Sequence, residues 1–151
     1  MDESLRLTFD NDHDGTGKLQ ADVSVDGFAT RGAAYFNISE LRDLTQALLS
    51  FPLPEKPRLR IAGGFFSKIE PHALETVLLS LEFYPVGVRG QVGVRVHGET
   101  ETWEGDRPDS RNQATVELLT SYARLVDFSH ELAELFSAVR KEAVLPGERL
   151  A

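Results

Sequence analysis

Residues 10–17 read DNDHDGTG, with three aspartates, Asp10, Asp12 and Asp14, at alternating positions and Gly15 directly after them. Carboxylates at that spacing begin many calcium loops, because a hard cation takes several oxygen ligands at once. Counted from Asp10, the twelfth position, where an EF-hand needs a bidentate glutamate, is Ala21, and both flanks alternate like strands. An EF-hand is excluded. A looser strand–loop–strand calcium site using Asp10, Asp12, Asp14 and the Thr16 carbonyl competes with a hairpin loop whose Asp, Asn and Gly serve turn geometry. The turn is the favoured reading, and neither a metal nor a cofactor is assigned.

A second candidate is the polar stretch 99–112, ETETWEGDRPDSRN, which holds the only tryptophan, Trp103, among Glu101, Glu104 and Asp106. An exposed aromatic ringed by carboxylates suits docking onto a basic protein partner, since aromatic side chains anchor interfaces. Otherwise Trp103 folds back to close an open end of the core. A third is a row of basic and polar residues, Arg89, Gln91, Arg95 and His97, in alternation with valines, with Arg58 and Arg60 on another strand. On neighbouring strands these would line a groove for an anion, unless Glu82 and Glu117 balance them into an ordinary solvated face. His13, His72, His97 and His130 lie in separate segments without metal-ligand spacing. Nucleophile elbows, P-loops and dinucleotide fingerprints are absent, and Gly63-Gly64 reads as a bulge. No enzyme is expected.

These residues sit on a regular alternation of elements. Leu5, Leu7 and Phe9 share one face of a first strand, and Leu19, Ala21, Val23 and Val25 one face of a second. Asp26-Gly27 predicts a tight type I′ turn into a third strand, 28–36, because that turn needs positive φ at both central residues. A helix follows, with Asn37 and Glu40 placed as a capping box, Phe36 and Leu41 as a staple, and Leu41, Leu44, Leu48 and Phe51 as its apolar stripe. Pro52, Pro54 and Pro57 end it. Strands are expected over 58–65, 74–84, 88–97 and 114–122, with Val88 in phase with Val92, Val94 and Val96. A second helix is expected over 125–142, with Phe128, Leu132, Leu135, Phe136 and Val139 inward, and then a frayed tail over about 145–151. The order βββαββββα predicts an α+β two-layer sandwich, one mainly antiparallel sheet of six to seven strands packed on two helices, forming a single domain over 1–151. The two halves share an order of elements without matching residues.

Bulk properties narrow the function classes. The formal charge of −8 repels nucleic acid and anionic membrane and favours a basic partner. With no cysteine, disulfides, thiolate metal sites and cysteine nucleophiles are excluded together. The opening MDESLRLTFD has no basic patch followed by an apolar run, and no stretch approaches the ~18 apolar residues of a membrane span, so a cytoplasmic location is expected. Two sheet edges needing protection make a homodimer compatible with the pattern.

GQVGVRVHGETETW followed by QATVELLTSYARLVDFSHELAELF resembles the C-terminal half of a loose group of small bacterial α+β proteins of unknown function, some of them toxin-immunity-like, with Phe128 and Leu132 in the Phe-x-x-x-Leu spacing of a final strand–helix unit. The resemblance carries no catalytic residues and implies a non-enzymatic interaction module. The sequence thus leads to a cytoplasmic, immunity-like protein-interaction domain with an acidic surface for a basic partner. The alternative is a small-ligand-binding domain with a pocket between sheet and helices.

Overall fold

Asp26-Gly27 turns the chain as its sequence dictates: both residues take positive φ, 50° and 85°, and a tight hairpin results. The computed structural model describes residues 3–70, 73–103 and 105–149. Strands β1 (Ser4–Asn11), β2 (Thr16–Val25) and β3 (Phe28–Asn37) form an antiparallel meander leading into helix α1 (Ile38–Ala47) and then strand β4 (Leu59–Phe66). The pattern repeats: β5 (Leu74–Val86), β6 (Gln91–Glu99) and β7 (Gln113–Ser121) lead into helix α2 (Tyr122–Phe136) and strand β8 (Ala143–Pro146). The protein is α+β, with antiparallel sheets and two helices.

The single large sheet is corrected to two four-stranded sheets, ordered β3-β2-β1-β8 and β4-β5-β6-β7. Each helix carries the chain out of the sheet that precedes it and delivers the next strand to the other sheet, where β4 pairs with β5 and β8 with β1. Each half is therefore three strands of its own plus one received. Alternation in sequence reveals which residues face inward but is blind to which sheet a strand joins. The frayed tail is corrected in the same place. Leu145 is fully buried opposite Leu5, the Gly147 N–H donates to the Glu3 carbonyl at 2.8 Å, and Arg149 pairs with Glu3 at 3.1 Å.

The sheets cross closely where glycine removes the side chain. A Cβ at Gly32 of β3 would lie 2.8 Å from the Leu78 carbonyl oxygen, and one at Gly98 of β6 2.5 Å from the Arg31 carbonyl oxygen. One hydrophobic cluster fills the space inside, taking Leu7, Leu19, Leu81, Phe83, Val94 and Leu118 from the sheets and Leu41, Leu44, Phe128 and Leu132 from the helices. Two stripe residues expected inward are instead exposed, Phe51 and Val139, because α1 ends at Ala47 and α2 at Phe136.

The capping box at Asn37 does not form. Asn37 is still paired with Thr16 in the β ladder and makes no side-chain cap; the first helical N–H, that of Ile38, donates to the Gly15 carbonyl at 2.9 Å. On α2, by contrast, the Ser121 hydroxyl accepts from the Arg124 N–H, as a helix N-cap ordinarily does.

Candidate functional site

Past α1 the chain is pulled inward at Leu53, which is buried and whose N–H donates to the Tyr122 hydroxyl at 3.1 Å. That anchor leaves Phe51 outside, 77% exposed, its ring edge-on to Tyr122 with centroids 4.8 Å apart. Facing it, the β5–β6 turn holds Val88 between two glycines in left-handed conformation, Gly87 (φ 65°) and Gly90 (φ 84°), and presents the side chain wholly to solvent. Between these walls lies a cleft of about 540 Å³, lined by Phe51, Pro52, Pro85, Val88 and Tyr122 with Glu55 as its carboxylate. Gln91 also borders it, but its amide donates to the Glu148 carbonyl at 2.9 Å and is already committed. No nucleophile and base meet in the cleft. Its chemistry is that of an apolar receptacle with one negative charge at its margin.

The aspartate loop closes on itself. The Asp14 carboxylate accepts from the Thr16 N–H at 3.0 Å and from its hydroxyl at 2.7 Å, and these bonds hold its pKa below the ordinary value. The Asn11 side-chain oxygen accepts from the His13 N–H, His13 takes a positive φ of 64°, and Asp10 stands opposite Lys18. Among the described residues no three His, Asp or Glu side chains form a group that could hold a metal ion, so Asp10, Asp12 and Asp14 are not brought together as ligands.

The tryptophan loop is partly folded back and partly exposed. Trp103 packs on Phe65 of β4 with centroids 5.5 Å apart, yet remains 65% exposed. Asp106 turns inward on the loop, accepting the Trp103 N–H at 2.7 Å, while Glu101 stays at the surface. Glu104 lies outside the described residues, as does His72. The loop and the cleft sit at opposite ends of the second sheet, one on the β6–β7 connection and the other on the β5–β6 turn.

The basic rows resolve into a charge ladder rather than an anion groove. Across the second sheet Arg60, Glu82, Arg95 and Glu117 stand in register on four adjacent strands, so each cation has an anionic neighbour. Arg58 donates to Glu82 at 2.6 Å while lying 3.8 Å over the Tyr84 ring, whose hydroxyl donates to Glu117. Burial, reinforced by that bond to Glu117, raises the Tyr84 pKa to about 12. His97 sits beside Thr115, 2.7 Å from its hydroxyl. Arg89 is in the exposed turn and joins none of this. The first sheet carries the same device: Arg31, Asp22 and Arg6 stand in register, the last paired with Glu142 at 3.3 Å.

The cleft was not found from the sequence because its makers look like core. Phe51 falls at helical spacing from Leu48, and Val88 two residues from a run of buried valines. The available signals were the prolines that stop the helix before Phe51 can turn inward and the glycines that place Val88 at a turn tip. No protein-family model, no curated protein and no solved structure matches the chain. No helix among the described residues is long and apolar enough to cross a membrane.

Proposed function

We propose that the protein is a non-enzymatic protein-interaction domain whose cleft receives a large apolar side chain from a basic partner. The observation that carries the reading is the cleft itself, with Phe51 and Val88 held outward by a buried anchor and by paired glycines. Contiguous exposed apolar surface mounted on ordered chain is characteristic of interaction sites. Glu55 at the margin and the net charge of −8 favour Lys and Arg around the inserted side chain. The Trp103 loop, with Glu101, Glu104 and Asp106, is a secondary contact in this reading. A cytoplasmic setting and an immunity-like role, in which the domain masks a basic toxin, accord with the resemblance of the C-terminal segment to such bacterial proteins.

Panning a random peptide library against the immobilised protein tests this. Selected peptides should carry one large apolar residue flanked by Lys or Arg, and Val88→Asp and Phe51→Asp should each weaken them by about tenfold or more. Selected peptides that bind both variants unchanged would show the cleft is not the receptor. The second reading, a small-molecule site, is favoured by one observation, a volume within the range of about 300–1,000 Å³ typical of ligand pockets. An apolar fragment binding there while no peptide does would make that reading the better one.

A further inference from the structure

Two of the four sheet edges, those of β8 and β7, receive a hydrogen bond from a neighbour, a third touches the other sheet, and the β4 edge lies open beside an acidic helix. On β8 the outward N–H of Val144 donates to the Glu131 carboxylate of α2 at 3.1 Å. On β7 the outward carbonyl of Leu119 accepts from the Glu148 N–H at 2.9 Å. β3 lies across the second sheet at the Gly32–Gly98 approach. Among the described residues strand β4 itself has no such cover, the nearest being the Glu55–Arg58 bridge just before it.

Which groups β4 presents follows from the pairing parity. The Thr100 N–H bonds to the Asn112 carbonyl, so counting back in twos, pairs 98/114 and 96/116 exchange bonds and Arg95/Glu117 does not. The backbone groups of Arg95 therefore face β5 and those of Glu82 face β6. Those of Arg60 point away from the sheet, and Ala62, two residues on and before the bulge at Gly63/Gly64, repeats the orientation. Among the described residues no hydrogen bond reaches these outward groups. Ala47 explains why. Glu131 stands ten residues after the N-cap of α2, and the residue ten after the N-cap of α1 is Ala47, which has no carboxylate to offer.

Instead a groove of about 210 Å³ separates α1 from β4, with Leu44, Ala47 and Ile61 as apolar lining and Glu40 and Asp43 on the helix wall. Neither carboxylate takes part in an ion pair or hydrogen bond among the described residues, and partial burial raises the pKa of Glu40. Arg60, the cation in the groove, is drawn to Glu82 on its own sheet, 3.9 Å away.

We propose that the outer edge of β4 at Arg60 and Ala62, together with the α1 wall carrying Glu40 and Asp43, takes an extended basic segment of a partner protein as an added strand. Main-chain bonds to the two free residues supply the docking, and side chains at alternate positions enter the groove, the general mode of β-strand addition. Lysine fits the groove best, its methylene stem along Leu44 and Ile61 and its ammonium at Glu40 and Asp43. This site is separate from the Phe51–Val88 cleft and stands without it.

A heptapeptide of alternating Lys and Thr, titrated against the isotopically labelled protein and read by amide NMR, tests the proposal. The amides of Arg60 and Ala62 should shift and gain exchange protection, the affinity should fall with salt, and the Glu–Thr counterpart should not bind. Glu40→Lys with Asp43→Lys should weaken the Lys peptide by about tenfold or more, and Glu40→Gln with Asp43→Asn, which keeps size and removes only the charge, should weaken it in the same direction. Ala62→Pro, which removes one outward N–H, should abolish binding. Absence of saturable binding, equal binding of the Glu–Thr peptide, or affinity unmoved by the charge reversal would each overturn it. So would protection of Arg60 and Ala62 that rises with protein concentration alone, which would assign the edge to a second copy of the chain.

Discussion

The two helix–strand junctions, α1 with β4 and α2 with β8, are the same construction finished to different degrees. Both helices hand a strand to the opposite sheet. At α2 the junction is shut: the helix packs on β8, Glu131 caps Val144, and the chain beyond β8 ties Glu148 to Arg124 at 3.0 Å. At α1 the helix is shorter, its wall is acidic and uncapped, and a groove remains. The chain between the α1 junction's helix and strand is also where Phe51 is pushed outward to build the cleft. A repeated element order therefore does not imply repeated duty. The closed junction holds the two sheets together, and the open one keeps both candidate binding surfaces.

The largest effect should come from breaking the closed side. Leu145→Ala empties a fully buried position on β8 and should lower unfolding free energy by about 2–5 kcal/mol, read by urea denaturation; a loss below about 1 kcal/mol would mean that β8 is dispensable. Next, Gly32→Ala forces a methyl to within 2.8 Å of the Leu78 carbonyl and should cost about 1–3 kcal/mol by separating the sheets, measured the same way. The junctions themselves are contrasted by exchanging their ten-after-cap residues. Glu131→Ala should cost about 1–2 kcal/mol by stranding the Val144 N–H, whereas Ala47→Glu should gain about 0.5–1 kcal/mol by capping Arg60. If both changes act equally on stability and in the same direction, the junctions are not equivalent.

The smallest effect separates the two ladders. Only the second sheet holds a buried tyrosine beside its ladder, and the folded pKa of Tyr84, about 12, exceeds the ordinary 10.0. The folded state thus keeps a proton that the unfolded state releases first, so this contribution is complete below pH 10.0 and is lost as pH rises toward 12. Denaturation between these limits should show a decline that Tyr84→Phe flattens and that charge changes at Asp22 leave in place.

What the sequence made legible is what local chemistry decides. Asp26-Gly27 strongly favours one kind of turn, and the alternation of Leu5, Leu7, Leu19 and Ala21 or of Val92, Val94 and Val96 marks a buried face. The partition into two sheets was illegible because β4 and β8 are assigned by packing across the core, not by any residue of their own. Ala-Val-Leu-Pro is too short to declare itself a strand until Leu5 is seen opposite Leu145. The acidic loop at Glu101 and Trp103 was readable as exposed aromatic chemistry, yet its contact with Phe65 depends on a strand far earlier in the chain, a span no local pattern covers. The cleft and the free edge are likewise products of where neighbours fail to reach.

The pairing of β8 with β1 also sets an order of events during synthesis. Arg149 meets Glu3 across a separation of 146 residues, so one side of β1 stays unpaired until β8 and the residues after it have been made. At about 5–20 residues per second that interval is on the order of ten seconds. Throughout it the nascent first half offers a bare strand edge to its surroundings, the kind of transient exposure from which aggregation starts.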